Sequence, residues 1–273
     1  MMEHYIWLVP LGFVVGAYGT VIGAGGGFVL MPILLLVYPG EKPDFLTSIS
    51  LAVVFFNALS GSVAYAQMRR IDYESGLLFS TATVPGAILG ALSTAFVPRR
   101  PFDAIFGVLM VGMAAFLLFR PITGGGPRGS YSPGHKTRRV LVDAKGTRHS
   151  FSYNLRLGLV LSFFAGYFSS LLGIGGGIIH VPVLARLLNF PVHIATATSH
   201  FMLAIMALAG TIVHIATGSF THGAARTVAL AIGVLLGAQL GAHLSTRLKS
   251  EWIIRSLAIA LGFVGLRILF AAL

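Results

Sequence analysis

The sequence predicts an all-α integral membrane protein of about eight transmembrane helices, arranged as two repeats of about four helices each. Three observations predict this fold class: the composition, the length of the apolar runs and an internal repeat. Only 10% of the 273 residues are charged and 56% are hydrophobic, and the mean hydropathy is +0.86. Soluble domains carry about 25% charged residues, so a surface this poor in charge indicates a protein surrounded by lipid.

Apolar runs of membrane-spanning length account for most of the chain. Each is long enough for a helix of about 20 residues, whereas the strands of a barrel would alternate over about ten residues. The runs cover residues 5–38, 45–67, 75–97, 102–119, 154–189, 194–217, 223–246 and 252–272. A basic, Gly- and Pro-rich linker (120–153) separates repeat 1 (1–119) from repeat 2 (154–273), and its segment RRVLVDAKGTRHSF is compatible with a small β-hairpin.

The two halves of the chain carry the same spaced glycines and proline. A shift of 150 positions superimposes Gly16, Gly23, Gly25–Gly27 and Pro32 on Gly166, Gly173, Gly175–Gly177 and Pro182. A shift of 151 superimposes Thr47-Ser48 on Thr198-Ser199, and GAILGA (86–91) on GAQLGA (237–242). Duplication of this kind is typical of secondary transporters.

The first helix of each repeat is predicted to break at its glycines. As one helix, residues 5–38 would extend about 50 Å across a hydrocarbon core of about 30 Å. Glycine disfavours a helix interior, and Pro32 suits the first turn of a second helix that starts near residues 28–31. Two topologies stay open. If each glycine turn reverses the chain, each half crosses an odd number of times and the repeats are inverted; if each half crosses four times, the linker and both termini share one face.

The broken glycine segments are the candidate substrate site. Unwound backbone at membrane depth must be buried in protein or line a wet cavity, and its free N–H groups can bind an anion. Hydroxyl groups that follow each break either cap a helix or contact the substrate. The candidate substrate-binding residues are Gly23, Gly25, Gly26, Gly27, Thr47, Ser48, Gly173, Gly175, Gly176, Gly177, Thr198 and Ser199. Close helix packing is the alternative function of the glycines, and it is the favoured one for Gly86, Gly90, Gly237 and Gly241.

Ionisable side chains are scarce within the apolar runs. Carboxylates lie at the ends of runs, so no metal site, cofactor or catalytic residue is predicted. His180 and His200 lie inside runs, where histidine is either packed in the core or a candidate for proton coupling. Ser199 and His200 are adjacent, and adjacent residues project about 100° apart on a helix, so they do not form a nucleophile–base pair.

These features together resemble the TauE/SafE sulfite exporter family. The motif GxxxxxxGxGGGxxxxP at Gly16–Pro32 and at Gly166–Pro182, the following Thr47-Ser48 and Ala197–Ser199, and the basic central loop carry the resemblance over essentially the whole chain. The resemblance implies a multi-pass carrier of sulfur-containing anions such as sulfite, sulfonates and sulfoacetate in a bacterial inner membrane. The long central insert departs from the family pattern, and His200 stands where the first repeat has Ile49.

The expected function is secondary transport of a small anion by alternating access, with the anion and the lipid bilayer as partners. An anion channel or a non-transporting membrane subunit is the main alternative, and an intramembrane enzyme is disfavoured. The net charge is +11, and the Lys and Arg residues lie mostly between the apolar runs. This distribution is typical of cytoplasmic loops and not of nucleic-acid binding. The distribution of basic residues places the linker in the cytoplasm. A homodimer is left open as a further partner.

Overall fold

A computed structural model describes residues 5–119, 136–220 and 223–272. Within these ranges the chain forms ten α-helices and one β-hairpin, so the prediction of an α-helical membrane protein is confirmed. The helices are α1 Leu8–Ile22, α2 Gly27–Val37, α3 Pro43–Gln67, α4 Tyr73–Thr94, α5 Arg99–Phe119, α6 Leu155–Leu172, α7 Gly177–Pro182, α8 Val192–Ala216, α9 Ala224–Ser245 and α10 Ser250–Ala272. The strands are β1 Lys136–Val142 and β2 Arg148–Asn154, and a π-helical turn, Val183–Leu187, continues α7.

Both predicted glycine breaks are present, between α1 and α2 and between α6 and α7. Among the residues that the structure describes, seven helices are long and apolar enough to cross a membrane: α3, α4, α5, α6, α8, α9 and α10. Of these, α6 has 18 residues, and it ends at a glycine break as α1 does. The eight apolar runs therefore correspond to six crossing helices and two helical hairpins, α1–α2 and α6–α7.

The first hairpin enters and leaves the membrane on the same face. The guanidinium of Arg226, at the start of α9, lies 5.9 Å from the ring of Tyr5, 4.1 Å from that of Tyr38 and 5.6 Å from that of Phe45. Tyr5 precedes α1, Tyr38 ends α2 and Phe45 begins α3. The chain therefore reverses at the first glycine turn.

The second hairpin shows the same reversal at the opposite face. The ring of Phe190, which follows the hairpin, lies 4.3 Å from that of Phe151 and 5.2 Å from that of Tyr153, just before α6. Phe79, near the start of α4, packs on Tyr153 at 5.4 Å. Both ends of the second hairpin thus meet where α4 begins.

Equivalent helices of the two repeats run in opposite directions. In α3 and α8, Gly61 lies beside His200, and the Asp44 carboxylate is 3.1 Å from His214 Nδ1. Helices α5 and α10 are also antiparallel, because Gly107 in the first half of α5 lies beside Leu269 near the end of α10. Of the two topologies that the sequence leaves open, the structure has the inverted one.

The repeats are interlocked through glycine contacts. Helix α1 packs along α9, with Gly12 and Gly16 against the backbone of residues 230 and 234. Helix α6 packs along α4 in the same way. The predicted packing glycines Gly86, Gly90, Gly237 and Gly241 all lie in these two contacts, each against a carbonyl group of the facing helix. Close approach of backbones is the usual function of such glycines in membrane helices.

The β-hairpin docks on the loop between α3 and α4. Arg139 of β1 is 3.0 Å from Asp72 and also pairs with Glu74. The N–H of Ala144 donates to the carbonyl oxygen of Met68 at 3.0 Å. The strands pair in antiparallel register from Lys136–Asn154 to Val142–Arg148. This hairpin contains the segment 138–151, where the sequence is compatible with one, and extends beyond it at both ends.

Asp143 organises the turn of the β-hairpin. Its Oδ1 accepts from the N–H groups of Lys145 and Thr147 at 2.9 Å each, and its Oδ2 lies 3.3 Å from His149. Burial opposes ionisation, but the hydrogen bonds from Thr147, His149 and Lys145 outweigh it and hold the pKa of Asp143 below its usual value.

The inverted topology divides the connecting segments between two membrane faces. The linker face carries 68–72, 136–154, 188–191 and 246–249, and the termini face carries 38–42, 95–98, 217–220 and both ends of the described chain. Most described basic residues belong to the linker face: Arg69, Arg70, Lys136, Arg138, Arg139, Lys145, Arg148, Arg156, Arg186, Arg247, Lys249 and Arg255. The termini face has Lys42, Arg99, Arg100, Arg226 and Arg267.

Candidate functional site

The two glycine turns, turn 1 (residues 23–27) and turn 2 (residues 173–177), need left-handed backbone. In turn 1, Gly23, Gly25 and Gly26 have φ of +82°, +72° and +76°. In turn 2, Gly173 and Gly175 have φ of +64° and +75°, whereas Gly176 is right-handed at −60°. Only glycine adopts the positive-φ region at little cost, so these five glycines are fixed by the reversal of the chain.

The two turns meet at the centre of the molecule. A Cβ atom on Gly27 would overlap the carbonyl oxygen of Ile174, and one on Gly177 would overlap that of Gly23. Gly27 and Gly177 are therefore required for packing of the turns against each other, which is the alternative function of these glycines. Val54 and Leu203, from α3 and α8, pack beside this contact.

Several buried backbone N–H groups at the turns lack an acceptor. In the described chain the N–H groups of Gly26, Gly27 and Phe28 make no hydrogen bond, and neither do those of residues 175–178. More than about 90% of buried backbone N–H groups in proteins are paired. Two adjacent groups of unpaired donors are therefore a feature that a bound anion would satisfy.

Serine side chains cap both turns from the opposite repeat. Ser50 donates its hydroxyl hydrogen to the carbonyl oxygen of Gly173, and Ser199 donates to that of Gly23 at 3.4 Å. Ser50 and Ser199 are equivalent under a shift of 149 positions. The predicted alignment by 151 is therefore wrong for α3 and α8, although α4 and α9 do follow it in the glycine contacts.

Two threonine hydroxyls lie beside the turns without a partner. Thr196 packs on Gly23 and Thr47 packs on Gly173, and the same shift of 149 relates them. Both residues are buried, and neither hydroxyl oxygen has a hydrogen-bond partner in the described chain. Each residue packs its methyl group on the glycine turn next to it.

The structure does not bring Ser48 and Thr198 to the turns. The Ser48 hydroxyl donates to the carbonyl oxygen of Phe45 at 2.7 Å. The Thr198 hydroxyl accepts from the N–H of Asp72 at 3.0 Å. Both side chains therefore serve the ends of helices, and of the four predicted hydroxyl residues only Thr47 and Ser199 lie at the turns.

A buried polar group that we call the threonine cluster lies next to turn 1; it consists of Thr20, Asn57, Tyr65 and His200. The Thr20 hydroxyl is 3.1 Å from Asn57 Oδ1 and 3.3 Å from His200 Nε2, and the Tyr65 hydroxyl donates to the carbonyl oxygen of Thr20 at 2.7 Å. If His200 donates through Nε2, Thr20 can donate to Asn57. The Asn57 amide nitrogen and His200 Nδ1 then stay unpaired.

The corresponding region beside turn 2 has different chemistry. Ser170 replaces Thr20, and its hydroxyl, like that of Ser169, has no partner in the described chain. Met206 and Leu51 occupy the positions of Asn57 and His200. The two regions are therefore related by fold and not by side-chain chemistry.

His180 and His200, the two candidates for proton coupling, have separate environments. His180 Nδ1 lies 2.9 Å from the carbonyl oxygen of Gly176, and its Nε2 is 3.5 Å from the Thr83 hydroxyl. His200 belongs to the threonine cluster. His180 thus has one partner in its own hairpin and one on α4, whereas Nδ1 of His200 has no hydrogen-bond partner in the described chain. In the described ranges, no three His, Cys, Asp or Glu residues lie close enough to hold a metal ion.

Sequence reasoning missed most of the threonine cluster. Asn57 is a typical residue of helix packing, and Thr20 and Tyr65 lie in otherwise apolar helices. The available signal was the position of Thr20, three residues before Gly23 on the helix that leads to the turn. Thr196 is one of the hydroxyl residues that follow the second break, but the alignment by 151 selected Thr198 and Ser199 instead of it.

Comparisons with known proteins match this chain to membrane transporters. Residues 8–268 match the profile of the family described as Sulfite exporter TauE/SafE. The chain is 29% identical to the probable membrane transporter protein YunE of Bacillus subtilis over 97% of both chains. It is 24% identical to the probable membrane transporter protein MJ0441 of Methanocaldococcus jannaschii, over 77% of this chain and 73% of that one. No solved structure matches.

Proposed function

The chain belongs to the sulfite exporter TauE/SafE family, and from that premise we propose that it carries a small sulfur-containing oxyanion, such as sulfite or a sulfonate, by alternating access. It is a multi-pass membrane transporter. The proposal places it in a bacterial inner membrane. The observation that carries the choice of an anion is the pair of facing glycine turns with unpaired, buried N–H groups.

The proposed binding site combines backbone and hydroxyl donors. The unpaired N–H groups of Gly26, Gly27 and Phe28 contribute at turn 1, and Thr196, which packs on Gly23 of the same turn, contributes its unpaired hydroxyl group. Residues 175–178 and Thr47 form the equivalent set at turn 2. Neutral donors bind an oxyanion without a full opposite charge, which favours both binding and release.

The interlocked repeats suggest which parts of the protein move together. Helix α1 is held to α9, and α6 to α4, by glycine contacts at backbone distance. Such contacts resist sliding, because each glycine fits one position of the facing helix. The moving units would therefore combine the hairpin of one repeat with a helix of the other.

The distribution of basic residues supports one orientation. The linker face has more Lys and Arg than the termini face, and cytoplasmic loops of membrane proteins collect such residues. We therefore place the linker face in the cytoplasm and both ends of the described chain outside it. Arg247 and Lys249, which a four-crossing topology would leave outside, then lie on the cytoplasmic face.

Sulfite flux into proteoliposomes tests the transport function. A carrier gives influx that saturates with sulfite concentration and is accelerated by sulfite on the opposite side. Influx that rises linearly to high concentration would indicate a channel. No flux of sulfite, or of a short alkanesulfonate, above that of protein-free vesicles would contradict the proposal.

Substitution of Thr196 by valine tests the site. Because its hydroxyl has no partner in the described chain, we expect Thr196→Val to keep the thermal stability of the protein. Loss of a hydrogen bond to an anion would raise the half-saturation concentration for sulfite by about 10- to 100-fold. The matched control is Thr81→Val, which lies on the exposed face of α4. Equal half-saturation concentrations for sulfite in the two variants would show that Thr196 does not contact the anion.

A further inference from the structure

The end of α3 turns one arginine out of the membrane and the next one into the protein. The N–H of Arg70 donates to the carbonyl oxygen of Tyr65 at 3.2 Å, and that of Arg69 to Ala66 at 2.9 Å. This pair of bonds closes a helix with a left-handed residue, for which glycine is usual. Here Arg69 occupies that position at φ +52°. Arg69 is exposed, whereas Arg70 is buried.

Arg70 is a buried cation without a counter-ion in the described chain. Its exposed fraction is 8%, its Nη1 atom has no hydrogen-bond partner, and no carboxylate of the described ranges lies within salt-bridge distance. The remaining segments contain one acidic residue, Glu3, which precedes Tyr5 of the opposite membrane face by two positions. A buried charge is costly unless it is paired, so the position of Arg70 favours a bound anion.

The neighbourhood of Arg70 is apolar on one side and positive on the other. Residues Ala64, Tyr65, Ile71, Ala197 and Ala242 form one buried cluster around the end of α3. His193, at the start of α8, interacts electrostatically with Arg70, His149 and Lys145. The acidic residue of this group, Asp143, is already bound by the hairpin turn.

A chain of direct contacts joins this position to turn 1. Arg70 bonds to the backbone of Tyr65, and the Tyr65 hydroxyl reaches the carbonyl oxygen of Thr20 at 2.7 Å. Thr20 holds Asn57 and His200 within the threonine cluster. Arg70 therefore lies on the linker-face side of the proposed anion site.

The inverted repeat provides an internal comparison. Under the shift of 149, Arg69 and Arg70 correspond to Gly218 and Ser219. Gly218 has φ +76°, and the N–H of Ser219 donates to the carbonyl oxygen of His214 at 3.0 Å, so the same turn closes α8. The turn that ends α8 on the termini face thus has the same backbone conformation as the turn that ends α3, but it has no cation. The two turns differ in their side chains and not in their fold.

We propose that Arg70 is an oxyanion-binding subsite on the linker face, which holds the transported anion on its way to or from turn 1. This inference rests on the proposed transport function. It assigns to Arg70 a charge-assisted contact, which is stronger than the neutral contacts at the turns. The substrate class is then an oxyanion of at least one full negative charge.

Thermal unfolding of the detergent-solubilised protein tests the subsite without transport. In chloride-free gluconate buffer, Arg70→Met should unfold at the same temperature as the wild type or higher, because it removes an unpaired buried charge. At the same concentration, added sulfite should raise the unfolding temperature of the wild type more than that of Arg70→Met, in which only the neutral donors of the turns remain. The matched control, Arg69→Gly, removes the same charge from the same turn and should respond to sulfite as the wild type does. An identical response in Arg70→Met and the wild type, including no response in either, would overturn the subsite.

Lipid is the other source of an oxyanion at this position. If phosphatidylglycerol stabilises the wild type through Arg70, with phosphatidylcholine as the control lipid, and sulfite does not, the subsite binds a lipid phosphate and the proposal is wrong. In proteoliposomes, Arg70→Met should raise the half-saturation concentration for sulfite about tenfold or more. Saturable wild-type flux with unchanged half-saturation in Arg70→Met would leave the transport function intact and contradict the subsite alone.

Discussion

Replacement of Gly27 by alanine places one methyl group between the two glycine turns. Its Cβ would overlap the carbonyl oxygen of Ile174, and it would lie 2.6 Å from the carbonyl carbon and 2.7 Å from a methyl group of Val54. The first two atoms belong to the backbone of turn 2, so rotation of a side chain does not relieve the clash. The turns would separate by about 1 Å to restore ordinary contact.

The expected cost follows from overpacking. Insertion of a methyl group into a well-packed interior destabilises a protein by about 1–3 kcal/mol. Alanine is favoured over glycine in a helix by up to about 1 kcal/mol, which partly hides this loss. The control is Gly112→Ala in α5, where a Cβ meets no atom within 4 Å. The difference between the two variants isolates the clash.

The assay is thermal or denaturant unfolding of both variants in the same detergent, followed by sulfite flux after reconstitution. Gly27→Ala should be less stable than Gly112→Ala by about 1–3 kcal/mol and should transport more slowly. Gly177→Ala, on the other side of the same contact, should cost less in the Gly27→Ala background than alone, because neighbouring sites are not additive. Equal stability and equal flux of Gly27→Ala and Gly112→Ala would refute the contact between the turns.

Two further predictions follow from hydrogen bonds. Because the folded pKa of Asp143 is lowered, its stabilisation of the β-hairpin is present above the unfolded value of about 3.9 and is lost as the pH falls through the folded value. The hydrogen-exchange rate of residues 136–154, corrected for intrinsic rates, should therefore rise as the pH falls from about 5 to 3. The variant Asp143→Asn should lose this pH dependence. An unchanged pH profile in the variant would contradict the stabilising function of Asp143. Thr20→Val leaves the side-chain oxygen of Asn57 without its hydrogen-bond partner and should destabilise the protein by about 1–3 kcal/mol. Unfolding measurements on Thr20→Val and on the control Thr81→Val test this. Equal stability of the two variants would mean that water provides the hydrogen bonds of the threonine cluster.

The glycine breaks were predictable because they follow from length and propensity. A run of 34 residues that contains Gly25–Gly27 exceeds the width of a bilayer, whichever way the chain then goes. The reversal itself was not predictable from this pattern. Glycines with positive φ permit both a straight and a reversed path, and the contacts of Arg226 with three rings at one face are what distinguish them.

The candidate site was predictable in its backbone and only partly in its side chains. Repetition of glycines identifies both turns, but the pairing of α3 with α8 depends on a shift of 149 that the glycines do not fix. Thr196 was therefore left out of the candidate substrate-binding residues, while Thr198 was included. In the sequence, Arg70 resembles an exposed basic residue of a loop. The left-handed turn that buries Arg70 is formed by Arg69, and no glycine marks that turn in the sequence.

Single-cysteine labelling of the membrane faces tests the central claim, that both glycine turns reverse the chain. The chain has no cysteine, so Ile6→Cys, Gly40→Cys, Lys145→Cys and Lys249→Cys can each be examined without background. With a membrane-impermeant maleimide, residues 6 and 40 should react in intact cells, and residues 145 and 249 should react only after permeabilisation. If residues 6 and 40 lie on opposite faces, or residues 145 and 249 do, the chain crosses the membrane at that glycine turn and the inverted topology is wrong.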